Sequence, residues 1–244
     1  MVSAGLQVVQ VAGRDRQKTD ELAAELGAHA AYSPYKIDPS AHLVLLAVSD
    51  KAIAEVATQL PSFQGVWVHT AGSVSKNILQ PFARQYGVLY PLQSLLKDHP
   101  THDPIPFLVD GNSSESLSVI QELAFCLSST VETCGDEARA HFHLAAVFAN
   151  NFVNHLLGIG QALCSEQQLN SALLHPLILE TARRATQTGN PWLVQTGPAL
   201  RSDGETLNRH QDLLQRHPAW QNVYQTITRS IQQTHQAPPK CFVK

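Results

Sequence analysis

The 244-residue chain lacks most of what would mark a secreted, membrane-spanning or nucleic-acid-binding protein. Its four cysteines, Cys126, Cys134, Cys164 and Cys241, lie far apart, with no C-x-x-C pair and no secretory signal before them. Free thiols in a reducing cytoplasm are therefore the expectation. No apolar run approaches the roughly 20 residues that cross a bilayer. The longest, HLVLLAV from His42 to Val48, has the length of a strand, so membrane insertion is excluded. An excess of one charge is missing too. Seventeen Lys and Arg against 20 Asp and Glu, interspersed to a net −3, give no basic face for a polyanion, and no nucleic-acid partner is expected. Twelve histidines invite a metal reading, but His99, His102 and Asp103 sit in a Pro-containing loop, and His141 and His143 diverge on a helix. None of these has zinc spacing, so no metal is expected. There is neither a G-x-S-x-G elbow nor a P-loop, which removes the specific signals for hydrolase and triphosphatase chemistry.

What remains is a chain 43% hydrophobic, ample for a core, in which short β-branched runs alternate with helical ones. LQVVQVAG reads as a strand, and RDRQKTDELAAELG reads as a turn and a helix stopped by Gly27. HLVLLAVS predicts a second strand, and DKAIAEVATQL predicts a helix with Asp50 as its N-cap. GVWVHTAGS, VLYPLQS, IPFLVDG and STVETC supply further strands, with helices over KNILQPFARQYG and Glu115 to Leu127. This alternation predicts an α/β fold with a doubly wound parallel sheet over residues 1–134. From Gly135 the character changes. One long amphipathic helix, DEARAHFHLAAVFANNFVNHLLGIGQALC, precedes three more, which predicts an all-helical second domain over residues 135–244.

The turn AGRDR raises the cofactor question. In dinucleotide-binding Rossmann domains, the residue that reads the adenosine ribose ends the second strand, about 20 residues after a G-x-G-x-x-G fingerprint. Here that position is Arg14. A guanidinium there suits a 2′-phosphate, so Arg14, supported by Arg16 and Lys18, points to NADP. The other reading of the three cations is a solvated turn. Counting back by the same offset places the fingerprint before Met1, and no G-x-G-x-x-G opens the chain. The expectation is a domain lacking its first β-α unit. It is then either an N-terminally truncated form of an NADP enzyme or a protein that has lost dinucleotide binding. GIGQAL at Gly158 lies in a helical pattern and reads as helix packing.

The segments LAVSDKAIAEVA, HTAGSVS, YPLQS, HLAAVFANNF and TGPALRSDGETLNRH occur in that order. In them the chain resembles the Rossmann-like proteins that carry the C-terminal domain called DUF2520. These are relatives of pyrroline-5-carboxylate reductase and of the 6-phosphogluconate dehydrogenase-like enzymes. The resemblance implies an NADP-dependent oxidoreductase of unassigned small-molecule substrate, with a helical domain that pairs with its mate in a homodimer. It also implies a crevice between the domains. The sequence departs from that pattern at the missing fingerprint, at Tyr90 where relatives often have His, and at Ser202 in place of a common glycine.

Val48 and Ser49, and His69, Thr70, Gly72 and Ser73, end two parallel strands, where open α/β sheets hold ligands, and are candidates for cofactor contact. The alternative for these is a pair of tight turns with hydroxyl caps. Gln93, in YPLQS, is a candidate for substrate contact. His143 and Asn151, eight apart with Val147 between them, are candidates to handle and orient a proton; a core histidine is the alternative. Related hydroxyacid dehydrogenases carry a lysine where this chain has Val147, so lysine acid catalysis of that type is not available. Thr196, Arg201, Asp203 and His210 are the last group. Arg201 suits a substrate carboxylate, His210 suits proton transfer, and Asp203 suits orienting either of them; the alternative is a structural Arg-Asp bridge, with Asp or Ser capping the helix that starts near Gly204.

Overall fold

The computed structural model describes residues 5–32, 36–96 and 104–236. The chain divides into two compact units, Met1–Val153 and Asn154–Lys244. The change of character at Gly135 marks the start of a helix, and the division into units comes later, within the long helical stretch.

The first unit opens with β1 (Gln10–Ala12), α1 (Arg16–Leu26) and β2 (His29–Ala31), a short β-α-β piece whose two strands pair in parallel. Asp15 caps α1 by accepting from the Lys18 amide at 3.2 Å, and Gly27 ends it in the left-handed region at φ 64°. The Gln10 side chain fastens this piece to the segment ahead of the next strand, donating to Lys36 O and accepting from Asp38 N.

A separate five-stranded sheet is built from β3 (Leu43–Leu46), β4 (Val66–His69), β5 (Gln85–Pro91), β6 (Phe107–Gly111) and β7 (Val131–Thr133) in that spatial order. Alternation along the strands creates two cores. Leu46, Trp67 and Tyr86 face α2 (Ile53–Gln59) and its Ile53 and Ala57, whereas Val66, Val68, Leu89 and Val109 face α3 (Ser114–Leu127) through Ile120 and Ala124. The α/β architecture with helices on both faces is thus as expected. One pairing differs: β5 and β6 run antiparallel, whereas the other pairs in the sheet are parallel. Antiparallel neighbours need no helical crossover between them.

Three local expectations are corrected. Residues after Ser75 form only a 3-10 turn, Lys76–Leu79, because Pro81 cannot continue a helix. Ser49, not Asp50, takes the N-cap position of the 3-10 turn Asp50–Ala52 that leads into α2, and it makes no side-chain cap bond. The long helix is broken into α4 (Asp136–Ala146), a π-helical turn over Val147–Phe152, and α5 (Val153–Glu166).

The second unit takes in α5 from Asn154 onward, α6 (His175–Gln187), α7 (Gly204–Leu213) and α8 (Pro218–Gln236). Among its described residues only Ala199 and Leu214 are buried, while Leu173, Leu177, Leu179, Leu193 and Leu213 each expose more than 60% of their surface. An amphipathic helix gains its stability by burying its apolar stripe. The core clusters of the protein lie in the first unit.

Candidate functional site

The carboxyl ends of β3, β4 and β5 lie together because these three strands are parallel and adjacent. After β3, Val48 and Ser49 are exposed, and the Asp50 carboxylate accepts from Ser73 Oγ at 2.7 Å, which ties the loops after β3 and β4 together. After β4, His69 is fully buried and Gly72 is buried as well, whereas Thr70 is half-buried and Ser73 exposed. The His69 side chain therefore serves the turn. Its Nδ1 accepts the Ala71 amide at 3.2 Å, which leaves the proton on Nε2, where it has no hydrogen-bond partner among the described residues. Burial, and then the charge of Arg139, lower its pKa to about 4; the Ser75 backbone and the Asp136 and Asp50 carboxylates oppose this without offsetting it.

Gly72 has a steric role. A Cβ on it would stand 2.6 Å from Tyr90 Cζ and 2.9 Å from His143 Nδ1. Only a glycine lets these two rings meet over the β4 turn. Tyr90, near the end of β5, places its hydroxyl 3.2 Å from His143 Nδ1, and the rings meet edge to face at a centroid separation of 6.0 Å. Burial and then the Asp50 charge raise the Tyr90 pKa above its ordinary value, so the phenol keeps its proton. Gln93 is exposed past the end of β5, with Oε1 accepting the Ser94 amide.

The π turn alters how His143 and Asn151 relate. On a continuous α-helix, eight residues overshoot two turns by about 80°. One residue's worth of extra ring in a π turn reduces this to about 20°. The insertion thus brings Asn151, which is exposed, round to the azimuth of His143.

A charged cluster that the sequence did not reveal anchors α4 against these loops. Arg139 is 1% exposed; its Nη2 donates to Val74 O and Asp136 Oδ1, both at 2.6 Å, and Nη1 lies 3.8 Å from Asp110. Lys76 Nζ donates to Asp110 at 2.7 Å, and Asp136 also accepts from Ser75 Oγ and the Lys76 amide. Burial raises the Asp136 pKa, but the Ser75 hydroxyl, Arg139 and the Lys76 amide outweigh it and hold the carboxyl below its ordinary value. The partners are up to 65 residues apart, so no local spacing could have grouped them.

The basic turn is at the start of α1. Arg14, Arg16 and Lys18 are all exposed. Arg16 lies over the Tyr32 ring at 4.5 Å and Lys18 pairs with Asp15 at 3.6 Å, whereas Arg14 has no ion pair or hydrogen bond among the described residues. The amino end of α1 is capped by its own Asp15 carboxylate.

In the second unit, Thr196 and Arg201 are exposed. Asp203 is the N-cap of α7, accepting from the Thr206 amide at 3.1 Å and its hydroxyl at 2.8 Å. The capping alternative thus accounts for this residue, and those Thr206 bonds lower its pKa. His210 is half-buried, with Nδ1 2.8 Å from Tyr224 Oη. Ser202 adopts φ 54°, which explains a glycine preference at this position. Among the described residues no group of His, Cys, Asp or Glu converges to hold a metal, and no helix is long and apolar enough to cross a membrane.

Residues 105–231 match the family model described as a domain of unknown function, DUF2520. The chain belongs to the DUF2520 family. The match spans HLAAVFANNF and TGPALRSDGETLNRH, two of the motifs that carry the resemblance. Among solved structures, a Bacteroides fragilis protein provisionally described as an NADP oxidoreductase is 33% identical to this DUF2520 chain, with a TM-score of 0.87 over 95% of this chain and 90% of its own. A Thermotoga maritima protein is 22% identical, with a TM-score of 0.80 over 95% and 93%. Aspergillus terreus reductive aminase, solved with NADPH and ethyl levulinate, shares the fold at 14% identity, with a TM-score of 0.71 over 93% and 85%. No protein of curated function matches this DUF2520 chain in sequence.

Proposed function

We propose that this protein is an NADP-dependent oxidoreductase acting on a small carbonyl, imine or hydroxy compound. The observation that carries the proposal is the Gly72, Tyr90 and His143 cluster at the carboxyl ends of β4 and β5, the edge at which open α/β sheets bind ligands. The similarity to a Bacteroides fragilis protein described as an NADP oxidoreductase supports it.

The fit to the cofactor is uneven. Arg14 suits a ribose 2′-phosphate, since it is exposed and uncommitted among the described residues, while Arg16 and Lys18 have neighbours of their own. The small side chains after β3 and β4, Val48, Ser49, Thr70 and Ser73, leave their backbone open to approach, and His69 contributes through the turn it buttresses. When bound, the nicotinamide supplies hydride chemistry. On the protein's side, the His143 ring packs beside Gly72 with Nδ1 at the Tyr90 hydroxyl and Nε2 without a partner among the described residues, and Asn151 offers an amide at a similar azimuth. Arg201 holds an anionic group of the substrate, His210 handles a proton, and Thr196 and Gln93 add polar contacts. Asp203 acts by capping the helix that comes after Arg201.

The bare leucines of the second unit support a second copy of the chain as the partner that covers them, and the free thiols Cys126, Cys134 and Cys164 support a cytoplasmic setting. A second reading, a binding module without catalysis, is favoured by one observation. The Asp15 carboxylate that caps α1 stands next to Arg14 in the chain, and a negative charge there opposes a bound phosphate.

Calorimetric titration separates the readings. NADPH is expected to bind more tightly than NADH, and Arg14→Ala is expected to remove at least about tenfold of NADPH affinity while leaving NADH unaffected, the scale of a charge-assisted pair. A folded protein that binds neither nucleotide would overturn the enzymatic reading and leave the binding module.

A further inference from the structure

His141 and His143 stand two residues apart on α4 and use the same ring nitrogen differently. His141 Nδ1 lies 2.9 Å from the Glu137 carbonyl one turn back, so that nitrogen must carry a proton in order to donate. His143 turns its Nδ1 away from its own helix and meets Tyr90 Oη at 3.2 Å. A hydroxyl can donate or accept, and its surroundings fix which. Tyr90 Oη has no other partner among the described residues, and its ring is half-buried between Gly72 and α4. If Tyr90 accepted, its own proton would be left without an acceptor, a cost that a single reversal of the bond removes. Burial and the Asp50 carboxylate keep the phenol protonated. The bond therefore runs from Tyr90 to His143.

We infer that Tyr90 is a positioning residue that holds His143 as the Nε2–H tautomer, so that the nitrogen left without a partner among the described residues is a hydrogen-bond donor on a ring that packs beside the turn after β4. This rests on the oxidoreductase reading only in naming what that donor meets. It selects a reacting group that accepts a hydrogen bond, a carbonyl oxygen or a neutral imine nitrogen, over a cationic iminium. Gly72 is part of the device, because any side chain there would drive the two rings apart.

The test is the tautomeric state of the full chain labelled with 15N-histidine, read from long-range proton–nitrogen correlations at a pH where the imidazoles are neutral. The His143 signals are assigned by His143→Gln and independently by correlation through the side-chain carbons. Wild type is expected to show His143 as Nε2–H and His141 as Nδ1–H, opposite forms within one helix. Tyr90→Phe, which removes only the hydroxyl, is expected to shift the His143 tautomer ratio about tenfold toward Nδ1–H and leave His141 unchanged. A wild-type His143 already in the Nδ1–H form overturns the inference even if a variant misfolds, and so does an unchanged ratio in folded Tyr90→Phe. Turnover with a neutral carbonyl substrate should fall with kcat in Tyr90→Phe while NADPH affinity holds. Absence of NADPH binding would sink the oxidoreductase reading and leave the tautomer result standing, so the two fail separately.

Discussion

Between pH 7.5 and pH 5 the protein should lose about 2 kcal/mol of stability through His69 alone. The imidazole is completely buried, its Nδ1 accepts the Ala71 amide, and its pKa is lowered to about 4 from 6.5. Adding a proton to Nδ1 would set two N–H donors face to face and put a charge in the core beside Arg139. In the unfolded chain the same group binds its proton near pH 6.5. Below that value the unfolded state holds more protons than the folded one, so stability falls as the pH falls, down to about pH 4. Each pH unit in that window is worth about 1.4 kcal/mol, which gives about 2 kcal/mol at pH 5. Asparagine at this position places an amide oxygen where Nδ1 accepts and cannot titrate. The assay is urea unfolding of wild type and His69→Asn at pH 7.5, 6 and 5, with the pH dependence compared and the absolute values set aside. Wild type should lose about 2 kcal/mol more than the variant across the range. Parallel profiles would refute the reasoning, since every other histidine and carboxylate is common to both proteins.

Two further outcomes test the rest of the framework. Arg139→Ala leaves buried Asp110 and half-buried Asp136 without their guanidinium and should cost about 3–5 kcal/mol in unfolding free energy, measured by the urea midpoint. Sedimentation should show a dimer, and Leu177→Asp, which places a charge on an exposed apolar helix position, should shift it toward monomer without loss of helical signal.

The strands and most helices were legible because their patterns are local. The β4 run VWVH alternates between two cores, and α1 carries its own cap and stop in Asp15 and Gly27. Where the sequence misled, a single residue overrode the pattern. Pro81 cut a helix that its neighbours favoured, and one extra residue in the Val147–Phe152 turn rotated the helix beyond it. The site divides in the same way. Arg14, Gly72 and His143 could be singled out from type and position, and Asp203 was weighed between two roles of which one is visible. Tyr90 stood out only as a departure from a motif, and its bond to His143 spans 53 residues. The Lys76, Asp110, Asp136 and Arg139 cluster has no signature, because each member is an ordinary surface residue type until the sheet brings them together.

The small β1, α1 and β2 piece packs chiefly on itself and is fastened to the chain ahead of β3 by the amide of Gln10. A substructure with so little anchorage can open on its own while the five-stranded sheet stays intact. Arg14 rides on it, so a ligand that grips Arg14 captures only the closed fraction of the molecules. Its apparent affinity is then reduced by that fraction, and tightening Gln10's hold would raise affinity without touching the ligand. Conversely, a nucleotide bound there would slow hydrogen exchange in two short strands that it never contacts.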